Sequence, residues 1–381
     1  TGVAMQAGRS NAAFELVDND DLLPPELEVL VDDLPEPADD DANAAKIQAA
    51  ALPVAGETIA EAPAEPQDEP VDPGMLKFYE ELNRTCPADF AERPLPEQRE
   101  AWNALCQTFR ARRPEPLVVR DHAVEGAAGS VNVRVYRPVG QQALLPGVLY
   151  FHGGGWVLGG LETHDDMCAE IAAGANVAVV AVDYRLAPEH PHPAQLEDSL
   201  AVLDWLRSGG ERHGIDPGRL IAAGDSAGGQ MSAGLALWLR DQDEPQLLAQ
   251  VLIYPVLGAD LETPSYVRNG EARCLTRAEM KFYLVSFLGV PAGQADKYGV
   301  PLKETNFSGL PPAFLTAAAH DPLHDDAVLF AERLKAAGIP AEVRREPALA
   351  HSYMRARAVS APAKAGFDAI VDAIHAFAHQ R

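Results

Sequence analysis

The sequence contains no run of about 18 consecutive apolar residues, the length that a membrane-spanning helix requires. It also shows no positively charged N-terminal stretch followed by an apolar one, which argues against a secretory signal. The 4 cysteines are widely spaced and form no C-x-x-C pair, so neither a disulfide framework nor a zinc site is predicted. These absences predict a cytoplasmic protein with free thiols, no membrane span and no bound metal.

Basic residues are scarce: 31 Lys and Arg stand against 56 Asp and Glu, which gives a net charge of -25. This surplus of negative charge disfavours nucleic acid as a partner, because the phosphate backbone binds cationic side chains. Residues 1–70 carry most of it, with 17 acidic and 2 basic residues and 8 prolines. A segment of this composition forms no core of its own. It is predicted to be an acidic arm, either a disordered tail that aids solubility or an ordered arm that joins a homodimer or narrows the entrance to a site.

Residues 71–115 predict two amphipathic helices. Apolar side chains recur there at helical spacing, in the groups Met75, Phe78, Tyr79, Leu82 and Trp102, Leu105, Cys106, Phe109. After residue 116 the pattern changes to short apolar runs that alternate with helical periods. Leu117–Val124 and Val131–Arg137 predict an antiparallel hairpin.

Six further apolar runs predict strands that are buried on both faces: Gly147–Phe151, Val177–Val182, Leu220–Ala223, Val251–Val256, Ala313–Ala319 and Ala341–Arg345. Their alternation with helices predicts an α/β fold with a mostly parallel central sheet flanked by helices. Residues 116–381 are therefore predicted to form the main domain, and no repeat of fixed period interrupts it.

Ser226 lies within a G-x-S-x-G sequence, Gly224 to Gly228, between an apolar strand and a predicted helix. This setting is typical of a nucleophile elbow, a turn so tight that its flanking glycines must lack side chains. The turn exposes the serine hydroxyl at the edge of the sheet. The backbone N–H of Ala227 then lies at a helix N-terminus, which favours negative charge.

A second glycine-rich loop follows the strand that ends at Phe151. Gly153, Gly154 and Gly155 stand between His152 and Trp156, without the G-x-G-x-x-G spacing of a dinucleotide site. Backbone N–H groups in such a loop can stabilise the oxyanion that forms during acyl transfer, and each contributes about 3 kcal/mol. These three glycines and Ala227 are the predicted oxyanion hole. His152 is interpreted as a brace of the loop.

The order of elements after an elbow serine predicts an acid and then a histidine base. Asp321 follows the apolar run that ends at Ala319, and His351 follows the last predicted strand, in a presumed loop. Asp325 and Asp326 are rival acids, but their position at a helix start favours N-capping. His375 and His379 lie in the terminal helix on a predicted solvated face. Ser226, Asp321 and His351 are therefore the predicted catalytic triad.

Four motifs together resemble the bacterial hormone-sensitive-lipase-like esterase family, in its GDSAGG branch. They are His152–Trp156, the DYRLAPE segment 183–189, Gly224–Gly229 and Asp321–Leu323. The resemblance implies an α/β-hydrolase fold with a helical cap, which acts on short-to-medium acyl esters without a cofactor. It also implies the same triad and oxyanion loop. The family often has Arg at His324 and Gly at Ser352, and the effect of His320 and His324 beside Asp321 stays open.

The resemblance places the cap in two parts, the helices of 71–115 and an insertion at about 262–300. Its aromatic side chains are expected to line the substrate pocket, although part of the set is expected to pack cap against core instead: Phe78, Tyr79, Trp102, Phe282, Tyr283, Phe287. Phe78, Phe282 and Phe287, together with Trp156 and Asp225, are the predicted substrate-binding residues.

The predicted reaction is ester hydrolysis through a covalent acyl-enzyme on Ser226, with His351 as general base. Because this base must be neutral, activity is expected to rise through roughly pH 6–7, where an imidazole titrates. Two alternatives stay open: hydrolysis of an amide, lactone or carbonate, and a ligand receptor built on an inactive hydrolase. The natural ester cannot be read from the spacing of residues.

Overall fold

The computed structural model describes residues 70–87, 90, 93–141 and 143–380. Within this part of the chain eight strands form one sheet, in the order β1-β2-β4-β3-β5-β6-β7-β8. Their bounds are β1 Leu117–Gly126, β2 Gly129–Pro138, β3 Leu145–Phe151, β4 Ala178–Asp183, β5 Ile215–Asp225, β6 Ala249–Ile253, β7 Ala313–His320 and β8 Ala341–Ala350. The acidic arm lies outside the described residues, apart from its last position.

The first two strands form the predicted hairpin, joined by two residues between Gly126 and Gly129. β2 pairs with β4 in antiparallel fashion, and all later pairs are parallel. β3 and β6 are buried along their whole length. This burial explains their continuous apolar runs, because both faces of a parallel sheet are covered by helices.

Five helices cover the two faces of the sheet. The helices are numbered in chain order, starting with α1 Pro73–Thr85 and α2 Leu95–Thr108. Those on the faces of the sheet are α3 Asp165–Ala175, α4 Ala194–Gly209, α5 Ala227–Asp241, α8 His324–Ala336 and α9 Ala361–His379. Leu203 of α4, Leu235 of α5 and Phe330 of α8 join one hydrophobic core. Ile171 of α3 and Phe367 of α9 join a second core on the opposite face. The predicted α/β fold, with a mostly parallel central sheet flanked by helices, is therefore observed.

Four helices lie above the carboxyl ends of the strands or beside them: α1 Pro73–Thr85, α2 Leu95–Thr108, α6 Pro264–Asn269 and α7 Arg277–Leu288. We call these four the cap helices. The Asp72 carboxylate caps the first turn of α1 at Gly74, and α7 begins with a reciprocal capping box between Thr276 and Glu279. No helix in the described part of the chain is long and apolar enough to span a bilayer.

One local prediction was wrong. Ala341–Arg345 was expected to be the whole last strand, with a loop from Glu346 onward, but β8 continues to Ala350. Pro347 lies in a stretch where β7 and β8 lose regular register, and β8 is an edge strand, so a missing N–H is tolerated there.

Candidate active site

Ser226 lies between the end of β5 and the start of α5, in a strained turn. Its φ of 56° is a left-handed conformation that non-glycine residues rarely adopt. The turn is held by a hydrogen bond of 2.8 Å from Ser226 N to Ile253 O. A Cβ added at Gly228 would lie 1.8 Å from the carbonyl oxygen of Phe151, so only glycine fits against β3. These contacts produce the geometry of a nucleophile elbow.

Three side chains form a hydrogen-bonded chain at this turn. His351 Nε2 lies 3.0 Å from Ser226 Oγ, and His351 Nδ1 lies 2.7 Å from Asp321 Oδ2. Asp321 Oδ1 also accepts a hydrogen bond of 2.9 Å from the backbone N–H of Leu323. All three side chains are buried, with Asp321 fully so. The distances are those at which a histidine can take the proton of a serine hydroxyl while a carboxylate orients its ring.

The register of the last two strands explains why the acid and the histidine meet. His320 of β7 is paired with Ala350 of β8, and the next residues along the two parallel strands are Asp321 and His351. Parallel strands deliver consecutive residues to the same edge of a sheet. Residues 30 positions apart in the chain therefore become neighbours at the edge where Ser226 lies.

The glycine loop after β3 faces the same space. Gly155 has a φ of 59°, and an added Cβ there would lie 2.4 Å from the ring of Tyr283, so glycine is required on both grounds. Among the hydrogen bonds of the described residues, the backbone N–H groups of Gly154, Gly155 and Ala227 donate to no protein acceptor. The N–H of Gly153, by contrast, donates to Asp225 Oδ1 at 3.1 Å.

This contact corrects one sequence-based expectation. Gly153 was assigned to the oxyanion hole with its two neighbours, but its N–H is already satisfied by a carboxylate. Gly154, Gly155 and Ala227 keep N–H groups that can bind an oxyanion. Gly153 instead holds the loop in position beside the nucleophile turn.

Asp225 is the centre of a buried polar network behind this loop. Besides Gly153, its carboxylate accepts a hydrogen bond of 2.9 Å from Tyr150 Oη and lies 3.3 Å from His164 Nε2. Arg355 is buried beside it, with Nη2 3.1 Å from the same His164 nitrogen. Burial raises the pKa of the Asp225 carboxyl, but His164, Arg355 and Tyr150 outweigh it and hold the pKa below its usual range. Asp225 therefore stays ionised and braces the loop.

Asp225 does border the pocket, as predicted for a substrate-binding residue. Its two oxygens, however, are engaged by the network rather than directed to a substrate. His164 and Arg355 were absent from the sequence interpretation. They lie 61 and 130 positions from Asp225, in no recognisable motif, and no signal in one sequence joins them.

His152 braces the loop as interpreted from the sequence. Its ring stacks on Tyr184 with centroids 4.2 Å apart, and Nδ1 lies 2.9 Å from Gly153 O. Burial, reinforced by His164, lowers the pKa of His152 to about 3, so the ring is neutral at physiological pH. Tyr184 donates a hydrogen bond of 2.7 Å to the His152 carbonyl.

A cavity of about 750 Å³, including its opening to solvent, leads to Ser226 and His351. Its walls come from the glycine loop and from three of the cap helices. The apolar lining is Leu82, Phe90, Trp102, Leu158, Leu275, Met280 and Tyr283, with Cys86 and Cys274 among them. Asn83, Arg273 and Glu279 supply polar groups. A largely apolar cleft with few polar groups is typical of a small-molecule site.

The predicted substrate-binding aromatic residues are wrong for this cavity, since none of the four lines it. Trp156 is fully buried and stacks on Phe287 with centroids 4.0 Å apart, so these two rings join the cap to the core. Phe78 is buried in the second core, against Phe109. Phe282 lies beside Tyr283 on α7 but outside the lining. The expected location of these aromatic residues, in the cap or beside the glycine loop, could not tell which ring reaches the cleft.

The rival acids have other contacts. Asp326 Oδ2 accepts hydrogen bonds of 2.8 Å from the N–H groups of Leu257 and Gly258, and Asp325 Oδ2 accepts one from Ser265. Both lie in the first turn of α8 but hold neighbouring loops, so the predicted N-capping role is wrong. His375 and His379 both contact the Ala175 carbonyl, far from Ser226 in the fold.

The four cysteines are free thiols. Within residues 70–87, 90, 93–141 and 143–380, no group of three or more His, Cys, Asp or Glu side chains is arranged to hold a metal ion.

Comparison with known proteins agrees with this geometry. A family profile described as an alpha/beta hydrolase fold matches residues 148–355. Carboxylesterase NlhH of Mycobacterium tuberculosis is 45% identical over 253 residues, which cover 65% of this chain and 79% of that protein. The ethyl acetate hydrolase of Pseudomonas putida is 35% identical over 284 residues, covering 73% of this chain and 89% of its own.

Among solved structures, the ester hydrolase EH1AB1 from the metagenome of Lake Arreo, complexed with a bipyridine phosphonate derivative, has a TM-score of 0.76. It is 33% identical and covers 80% of this chain and 98% of its own. The fold and the serine, histidine and aspartate arrangement define an α/β hydrolase. The chain belongs to the hormone-sensitive-lipase-like family of these enzymes, as its motifs predicted.

Proposed function

We propose that this protein is a serine carboxylesterase that hydrolyses short-to-medium-chain acyl esters through a covalent acyl-enzyme. The observation that carries the proposal is the continuous hydrogen-bonded chain from Ser226 Oγ through the His351 ring to the Asp321 carboxylate. Esterase relatives that span most of this chain support the same bond type.

In the proposed reaction Ser226 Oγ attacks the ester carbonyl carbon while His351 Nε2 takes the hydroxyl proton. The tetrahedral intermediate places its negative oxygen at the N–H groups of Gly154, Gly155 and Ala227. The His351 imidazolium, stabilised by Asp321, then protonates the leaving alcohol as the carbon–oxygen bond breaks. Water repeats the sequence on the acyl-enzyme and releases the acid, so no cofactor is required.

The pocket supports small acyl groups. Leu82, Met280 and Tyr283 of the cap helices line it, together with Leu158, which follows the glycine loop in the chain. Each acyl methylene that is buried against these apolar side chains contributes about 0.8 kcal/mol to binding, until the acyl chain fills the cleft. An acyl chain that is longer than the cleft must displace one of these side chains.

The experiment is a series of p-nitrophenyl esters of increasing acyl length, with matched anilides and a carbonate, on the wild type and Ser226→Ala. We expect hydrolysis of the short esters and a fall of about 10⁴-fold or more in kcat for the variant. A correctly folded Ser226→Ala that keeps most of its esterase activity would contradict the proposal. Faster cleavage of the anilides would favour the amidase alternative.

The ligand-receptor alternative requires an incomplete triad. Here the nucleophile, base and acid are joined by hydrogen bonds of ordinary length, which supports an active enzyme. A homodimer joined by the acidic arm and a cytoplasmic location stay predictions. Removing residues 1–70 and measuring the mass in solution and the ester preference tests the arm.

A further inference from the structure

The short cap helix α6 contacts the loop that carries the triad acid. Asn269 Nδ2 donates two hydrogen bonds of 3.0 Å, one to the Ala319 carbonyl and one to the Asp321 carbonyl. One turn earlier, Ser265 Oγ donates a hydrogen bond of 2.6 Å to the Pro322 carbonyl. Two side chains of one helix thus satisfy three carbonyl groups within four consecutive residues.

These carbonyls need donors from outside the sheet. β7 pairs regularly with β8 as far as Ala318 and Glu346, and the register shifts before the pair of His320 and Ala350. At this irregularity the ladder no longer supplies an N–H to each carbonyl, and a buried carbonyl without a partner costs free energy. The side chains of α6 supply donors to all three carbonyls, and the Asp321 carbonyl also accepts a hydrogen bond of 3.2 Å from the N–H of His324.

The helix that follows the acid loop also contacts α6. Ser265 N donates a hydrogen bond of 2.8 Å to Asp325 Oδ2, in the first turn of the helix that follows the acid loop. Ser265 is fully buried, while Val267 of the same helix is 65% exposed. The buried face of α6 therefore contacts the acid loop, whereas Val267 lies on the exposed face of the helix.

We propose that Asn269, assisted by Ser265, is a positioning residue for the triad acid. Its two hydrogen bonds fix the backbone of Asp321 and so the distance between the Asp321 carboxylate and His351 Nδ1. This inference rests on the proposed function, and it assigns to the cap insertion a role in catalysis besides forming the pocket wall. Misplacing a catalytic group by about 1 Å can cost about 10²-fold in rate.

The test compares Asn269→Ala and Asn269→Asp with Val267→Ala, a matched control on the outer face of the same helix. Asn269→Asp keeps the size of the side chain but places carboxylate oxygens against two carbonyl oxygens. We expect kcat for a short p-nitrophenyl ester to fall about 10-fold to 100-fold in Asn269→Ala and further in Asn269→Asp. KM is expected to change less than about twofold, since Asn269 does not line the pocket.

A spectroscopic readout separates positioning from a general loss of fold. The Nδ1–H proton of His351, held against a carboxylate, gives a far-downfield proton NMR signal, which we expect to shift or broaden in both Asn269 variants and not in Val267→Ala. Ser265→Ala tests the same loop by a different contact, if Asn269→Ala does not fold. Wild-type kcat in folded Asn269→Ala and Asn269→Asp, or an unchanged proton signal, would overturn the inference.

Ser226→Ala, assayed in parallel, distinguishes failure of the positioning role from failure of the proposed esterase function. If it abolishes activity while the Asn269 variants are unaffected, only the positioning role fails. If it keeps activity, the proposed function itself fails.

Discussion

The edge of the sheet and the cap helices build the same site in different ways. Ser226, Asp321 and His351 stand at the ends of β5, β7 and β8, where strand pairing and one strained turn fix their backbone. The pocket wall comes from helices whose rings could pack in several ways. The difference shows that residues attached to sheet ends are positioned by local chain geometry, whereas residues on covering helices are positioned by tertiary packing.

The first prediction concerns Asp225, which braces the glycine loop at the edge of the sheet. In Asp225→Ala the Gly153 N–H loses its acceptor and the Arg355 charge loses a partner, so we expect kcat/KM to fall about 10²-fold. Asp225→Asn keeps an oxygen for Gly153 and is expected to lose less. Steady-state kinetics on both variants provides the measurement, with circular dichroism as a control for folding.

Equal activity in Asp225→Ala and the wild type would mean that the loop holds its shape without the network. The positions of the groups at the sheet edge would then depend less on the Asp225 network than its hydrogen-bond distances indicate.

A second prediction concerns the pH dependence of the free energy of unfolding, which we expect Asp326 in the first turn of α8 to produce. Burial raises the pKa of Asp326 to about 7, although the N–H groups of Gly258 and Leu257 partly oppose it. A raised carboxyl pKa contributes stability that is fully present below about pH 4, the unfolded value, and that is lost as the pH rises through about 7. We expect the free energy of unfolding of the wild type to fall by about 2 kcal/mol from this group between about pH 5 and pH 8.

Asp326→Asn removes this titration while keeping an oxygen for both N–H groups, so its stability should depend less on pH by the same amount. Urea denaturation at several pH values measures the difference. Parallel pH curves for the variant and the wild type would show that Asp326 is ionised throughout.

A third prediction, with a smaller expected effect, concerns the side of the pocket that the cap helices form. Tyr283 lines the cleft and contacts Gly155, whereas its neighbour Phe282 does not line it. Tyr283→Ala should shift preference towards longer acyl chains, with a change of about 10-fold in the ratio of kcat/KM for long and short esters. Phe282→Ala is the matched control and should leave that ratio unchanged. A changed ratio in Phe282→Ala with an unchanged ratio in Tyr283→Ala would indicate that Phe282, not Tyr283, lines the pocket.

Much of the fold was predictable because buried parallel strands leave continuous apolar runs and the elbow leaves a glycine pattern. Asp321 and His351 were predictable because an elbow serine is followed along the chain by an acid and then a histidine, and Asp321 comes soon after an apolar run. The length of β8 was not, because Pro347 indicates a loop when its edge position is unknown.

The pocket wall and the Asp225 network depend on contacts between distant residues. Trp102 and Tyr283 belonged to the same expected set of cap aromatic residues as Phe78 and Phe287, and only the packing of the cap separates those that line the cleft. His164 and Arg355 meet Asp225 through three separate elements, so no spacing in the sequence connects them.

Covalent labelling tests whether Ser226 is the nucleophile. Intact-mass and peptide mass spectrometry after treatment with a fluorophosphonate should find one adduct, on Ser226, with loss of esterase activity in proportion. Ser226→Ala should remain unlabelled. No adduct on an active enzyme, or an adduct at another residue that accounts for the inactivation, would contradict the assignment.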